Sequence, residues 1–73
     1  MQDFEFYVDD DRSRDPRVFV VMTRDSERAR VLAGRCLAES AHHLGIEVRS
    51  ARQRLFGLGS CEAAASWATA ADG

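Results

Sequence analysis

Seventy-three residues with a formal net charge of −2 make one small domain, and at that size folding buries only about 60% of the surface exposed by the open chain. Ten basic against twelve acidic side chains argue against a uniformly cationic surface that would hold nucleic acid or anionic membranes by charge alone. No apolar run approaches the roughly 18 residues of a membrane span, and the start Met1-Gln2-Asp3-Phe4-Glu5 is acidic where a signal peptide is basic.

Residues 3–9 alternate, with Phe4, Phe6 and Val8 on one side and Asp3, Glu5, Tyr7 and Asp9 on the other, the period of a strand buried on one face. The polar run 10–16 ends in Pro16, which cannot donate to a sheet ladder, and reads as a loop. Residues 17–23 then form a second strand of a different kind. Val18-Phe19-Val20-Val21-Met22 has no polar side chain in five, so neither face of this strand is written for water.

Asp25 is placed to cap a helix and Gly45 to terminate it in a left-handed conformation. At 100° per residue, Ala29, Leu32, Ala33, Cys36, Leu37, Ser40, Ala41 and Leu44 share one half of its circumference, and Arg28, Arg35, Glu39 and His42 the other. The pattern predicts a helix lying on a sheet with Leu32, Leu37 and Leu44 as anchors. Residues 46–50 and 54–58 read as strands three and four, joined in a hairpin. A three-residue loop, Ala51-Arg52-Gln53, sets Val48 opposite Phe56 and Ile46 opposite Leu58, whereas a two-residue loop would set Arg49 opposite Arg54. The first register is the expectation, although no glycine supplies a left-handed position there. After Gly59-Ser60 the alanine-rich tail, residues 60–73, carries Trp67 and has high helical propensity. The eleven residues from Cys61 to Ala71 do not make a stable isolated helix, so docked helix and disordered tail both stand open.

The chain therefore predicts an α+β domain over residues 1–59, a four-stranded, mostly antiparallel sheet in the order ββαββ with one amphipathic helix on one face. Strand order stays open between 2-1-3-4, with strand two at an edge, and 1-2-3-4, with it in the centre. Phe19 and Val21 are expected to face away from the helix, because Val18, Val20 and Met22 would supply three core contacts. With Tyr7 and Leu55 they define the candidate interaction surface, and Trp67 is the tail's candidate cover for it.

Chemistry-bearing residues form no recognisable site. Asp9-Asp10-Asp11 with Asp15 lacks the spacing and closing glutamate of a calcium loop and has Arg12 and Arg14 as counter-charges, so it reads as a solvated turn. On a regular helix His42 and His43 point about 100° apart, and Cys36 lies too far along the axis to join His43 on one ion. Cys36 reads as a small apolar side chain. Cys61, near a plausible helix start, is a candidate for a lowered pKa, yet no base is placed beside either thiol. In a cytosolic protein, the expected setting, both are reduced. There is no phosphate loop, nucleophile elbow or zinc-finger spacing. The expectation is a non-enzymatic protein with no catalytic residue, metal or cofactor, and the sequence identifies no small-molecule substrate. Small size favours oligomerisation as a source of stability. A homo-oligomer or another protein is the leading partner. The alternative is a nucleic-acid-binding regulator using Arg12, Arg14, Arg49, Arg52 and Arg54, which requires the two arginine-bearing loops to lie at one end of the sheet. All ten basic residues are Arg, Lys and Asn are absent and Ile occurs once. That usage points to a high-GC bacterial genome.

Three segments, Phe4-Glu5-Phe6-Tyr7-Val8-Asp9-Asp10-Asp11, Ala38-Glu39-Ser40-Ala41-His42-His43 and Arg54-Leu55-Phe56-Gly57-Leu58-Gly59, resemble those of small uncharacterised proteins of high-GC alphaproteobacteria. The resemblance spans residues 3–59, excludes the tail, and implies no activity or site. A looser similarity in shape is to the strand-strand-helix half of HicB-type antitoxins. This chain lacks their longer meander and DNA-binding extension.

Overall fold

The computed structural model describes residues 1–61. Four strands, β1 (Gln2–Asp10), β2 (Arg17–Thr23), β3 (His43–Ser50) and β4 (Gln53–Gly59), form one antiparallel sheet in the order β2-β1-β3-β4, with α1 (Ser26–Ala38) inserted between β2 and β3. This is the ββαββ architecture the alternations predict, and of the two open topologies the structure adopts the one with β2 at an edge. The possible helix in the tail and Trp67 lie outside the described residues.

The core is the layer between α1 and one sheet face. Phe4, Phe6 and Val8 from β1 and Ile46 and Val48 from β3 meet Ala29 and Ala33 of α1, with Leu32, Leu37, Phe56 and Leu58 packed around them. Small residues at 29 and 33 let the helix approach the sheet closely. Asp25, in extended backbone, accepts from the amide of Arg28 at 2.9 Å and caps the helix as its sequence position predicts.

Four local expectations are corrected. First, the helix ends at Ala38, not before Gly45. Glu39 closes it with an N–H bond to the Cys36 carbonyl, Ser40 makes a turn that accepts the His42 amide on its hydroxyl at 3.1 Å, and β3 begins at His43. Ser40, Ala41, His42 and Leu44 therefore belong to no helix face, and Leu44 is half exposed rather than an anchor. Pairing explains the early stop: β1 extends to Asp10, and a strand begun at His43 pairs with that end, whereas another helical turn would leave it without a neighbour.

Second, the β3–β4 turn has two residues, not three. Ala51 and Arg52 both take positive φ, 51° and 66°, and Ser50 pairs with Gln53 and Arg49 with Arg54. The hydrophobic pairing nevertheless stands as predicted, Val48 with Phe56 and Ile46 with Leu58, because a β-bulge at Leu55 takes up the extra residue. Burial of the apolar pairs fixes the register, and the turn and bulge accommodate it.

Third, the two faces of β2 are exchanged. Phe4 pairs with Val21 and Phe6 with Phe19, so these β2 residues lie on the helix side, while Val18, Val20 and Met22 occupy the open face. Opposed residues in an antiparallel ladder share a face, and the core-facing set of β1 dictates the set in β2. Fourth, Leu55 is the bulge residue and lines a hollow with Phe4 and Ser26 on the helix side, rather than joining Tyr7 on the open face.

Candidate functional site

The most exposed apolar surface among the described strands is β2. Its open face presents Val18, Val20 and Met22, which retain 51%, 67% and 64% of their accessible surface. Its outer backbone edge has no neighbouring strand among the described residues. On the helix side, Phe19 is 43% exposed and borders a groove of about 540 Å³ between β2 and α1, floored by Phe6, Val21, Leu32 and Cys36. Arg17, Glu39 and His43 also line this groove, and the Arg17 guanidinium stands 5.9 Å from the Phe19 ring centre. Both sides of the edge are thus apolar with few charges.

On the β3–β4 side the open face is charged and closely bonded. Glu47 is 1% exposed, with Arg54 Nε 3.4 Å from one carboxylate oxygen and Arg49 Nη1 3.9 Å from the other. Arg49 also donates to the Arg52 carbonyl and Arg54 to the Cys61 carbonyl, at 2.9 and 2.8 Å. Gly59, at φ 60°, turns the chain back, and Ser60 and Cys61 cross the open face over Gly45 and Gly57, where a Cβ at either position would collide with them. Ser60 anchors this return by donating to Asp9 at 3.0 Å. Ser60 and Cys61 thus lie on the β3–β4 side, with β1 between them and the apolar strip of β2.

At the far end of β1, Asp10 accepts from Arg12 through its backbone amide and twice through the guanidinium, at 2.8, 3.0 and 2.7 Å. That pairing holds the Asp10 carboxyl well below the usual carboxylate range. The His43 ring donates from Nδ1 to the Cys36 carbonyl at 2.7 Å, which ties the helix end to β3, and presents Nε2 3.8 Å from Asp10. His42 pairs with Asp11 at 2.8 Å. The two histidines thus have separate partners. Among the described residues no group of three or more His, Cys, Asp or Glu is arranged to hold a metal ion.

The cysteines are free thiols. Burial, with the Glu39 carboxylate adding to it, pushes the Cys36 thiol up, and burial does the same to Cys61. The candidate lowering at Cys61 is not what the structure favours: Cys61 is buried, and a thiolate there would be poorly solvated.

Of the sequence-derived interface candidates, Tyr7 lies on the open face, Phe19 and Val21 on the groove side of β2, and Leu55 at the β4 bulge, so they form no single patch. Val18, Val20 and Met22, assigned to the core by sequence reasoning, lie instead on the open face and are more exposed than Phe19. The alternating core pattern of β1 is the signal that, combined with pairing, would have identified them. The five arginines are not brought together either. The loop after β1 and the turn after β3 lie at opposite ends of the sheet, since β1 and β3 are antiparallel and Ser50 bonds to Asp3. Arg12 is bound to Asp10, Arg49 is buried, and Arg54 reaches Glu47 and Cys61. No family model, curated protein or solved structure matches this chain.

Proposed function

We propose that this chain is a non-enzymatic cytosolic protein-interaction module that takes a partner strand along the free edge of β2. The observation that carries this reading is a seven-residue edge strand, Arg17–Thr23, apolar on both faces and outside the core on its open face. Soluble proteins protect such edges with inward charges, bulges or proline, because an uncovered ladder pairs with any strand available. Within β2 there is no acid, no lysine, no proline and no irregularity of register, and its single charge is Arg17 at the start. The other edge, β4, carries a bulge, Arg54 and two glycines. The contrast supports β2 as the edge left available for use. Strand addition supplies affinity through main-chain bonds and specificity through side chains that alternate between the two faces, here the open strip and the groove beneath α1.

Capture from cell extract with the wild-type chain and Val20→Lys side by side tests this. A lysine at the strand's exposed midpoint introduces the charge that protected edges carry. Protein retained by the wild type and lost from the variant is the expected result, and equal retention by both would remove β2 as the contact.

A further inference from the structure

Resting on the strand-addition reading, we infer that the partner is a second copy of this chain, joined β2 to β2 in antiparallel register about Val20. An antiparallel ladder is its own complement under a two-fold axis, so the edge that β2 offers is also the edge it needs. Centring on Val20 uses all seven residues: Val20 meets its counterpart, Phe19 meets Val21, Val18 meets Met22, and Arg17 meets Thr23. No other centre pairs the whole strand with itself.

Each consequence of that register suits the residues present. On the open face, Val20 stands beside Val20 and Val18 beside Met22, so each of the three exposed side chains gains an apolar neighbour along the shared edge. On the helix side, Phe19 of one copy is brought next to Val21 of the other, at the mouth of the groove that Phe6, Val21, Leu32 and Cys36 floor. The only charged residue of β2 falls at opposite ends of the pairing, so the two Arg17 side chains stand roughly 20 Å apart at about 3.4 Å per residue and do not repel. The assembly is one continuous sheet, β4-β3-β1-β2-β2-β1-β3-β4, with both helices on the same face and the bulged β4 strands as its outer edges. Seven residues a side is well below the roughly 20 of a standard interface. The dimer is accordingly a weak one, dissociating in the micromolar range or above.

Light scattering and sedimentation of the full 73-residue chain from low micromolar to millimolar concentration test the association, with Val20→Lys expected to weaken it by about tenfold or more. Cysteine pairs test the register under mild oxidation, against the wild type, whose own thiols are the background. Val20→Cys cross-links with itself. Val18→Cys and Met22→Cys each form no cross-link alone and cross-link when mixed. A dimer indifferent to Val20→Lys, or cross-links in any other combination, overturns the inference. A chain monomeric throughout overturns the second copy as partner. If capture by that monomer is still abolished by Val20→Lys, strand addition itself stands, and if it is not, both readings fall.

Discussion

Asp10 closes β1 with its carboxylate turned back onto Arg12, and the pair spans only two residues of chain. Because the bond lowers the folded pKa below the unfolded value of about 3.9, deprotonated Asp10 stabilises the fold at any pH above that value. Below it the unfolded chain takes up a proton first, and the contribution falls away as pH drops toward the folded pKa. Asp10→Asn should therefore be less stable than wild type by a constant margin above about pH 5, with the difference shrinking through pH 4 and below; denaturant midpoints of both proteins across that range measure it. That Arg12 would serve as an internal counter-charge was legible from adjacency alone. The bond from His43 to the Cys36 carbonyl was not, because it exists only once the helix stops well short of its apparent end.

The β3–β4 hairpin shows how packing overrules turn preference. Ala51 and Arg52 both adopt left-handed backbone, which costs an L-residue roughly 1–2 kcal/mol, in a two-residue turn that favours Asn-Gly. The double substitution Ala51→Asn with Arg52→Gly supplies that pair. It keeps the backbone carbonyl to which Arg49 donates, and should raise stability by about 1 kcal/mol in chemical denaturation. The reciprocal case is Gly57, where the Cys61 carbonyl occupies the space a side chain would need. Gly57→Ala should destabilise by about 1–3 kcal/mol, or displace Ser60 and Cys61 from the sheet, seen as faster amide exchange at Cys61 and increased thiol reactivity. Glycine in a strand marks such close approaches. Its presence in the sequence shows that something approaches, without saying that it is the chain's own return.

At the level of the molecule, the sheet has two unlike edges. β4 is irregular and bears Arg54 and the bulge at Leu55, while β2 is regular in register, apolar from Val18 to Met22 and seven residues long. Val20 contributes little within one copy because most of its surface is already outside the core. Val20→Lys should accordingly leave thermal stability in dilute solution within about 0.5 kcal/mol of wild type, while weakening association at high concentration. A large loss of stability in dilute solution would show that Val20 is covered within the single chain, and would argue against the edge as a contact surface.

The amino-acid sequence alone determined the elements of the sheet, the N-cap at Asp25 and the apolar pairs Val48–Phe56 and Ile46–Leu58, because alternation, capping and burial are local or pairwise properties of side chains. It also marked β2 as a strand without a wet side. Tertiary structure decided what that meant. Which set of β2 side chains faces the helix depends on the partner residues in β1, and a strand apolar at every central position carries no internal preference between its two faces. The helix end likewise depends on β1 needing a neighbour as far as Asp10. Pairing across the sheet therefore placed Phe19 and Val21 beside the helix and left Val18, Val20 and Met22 on the open face.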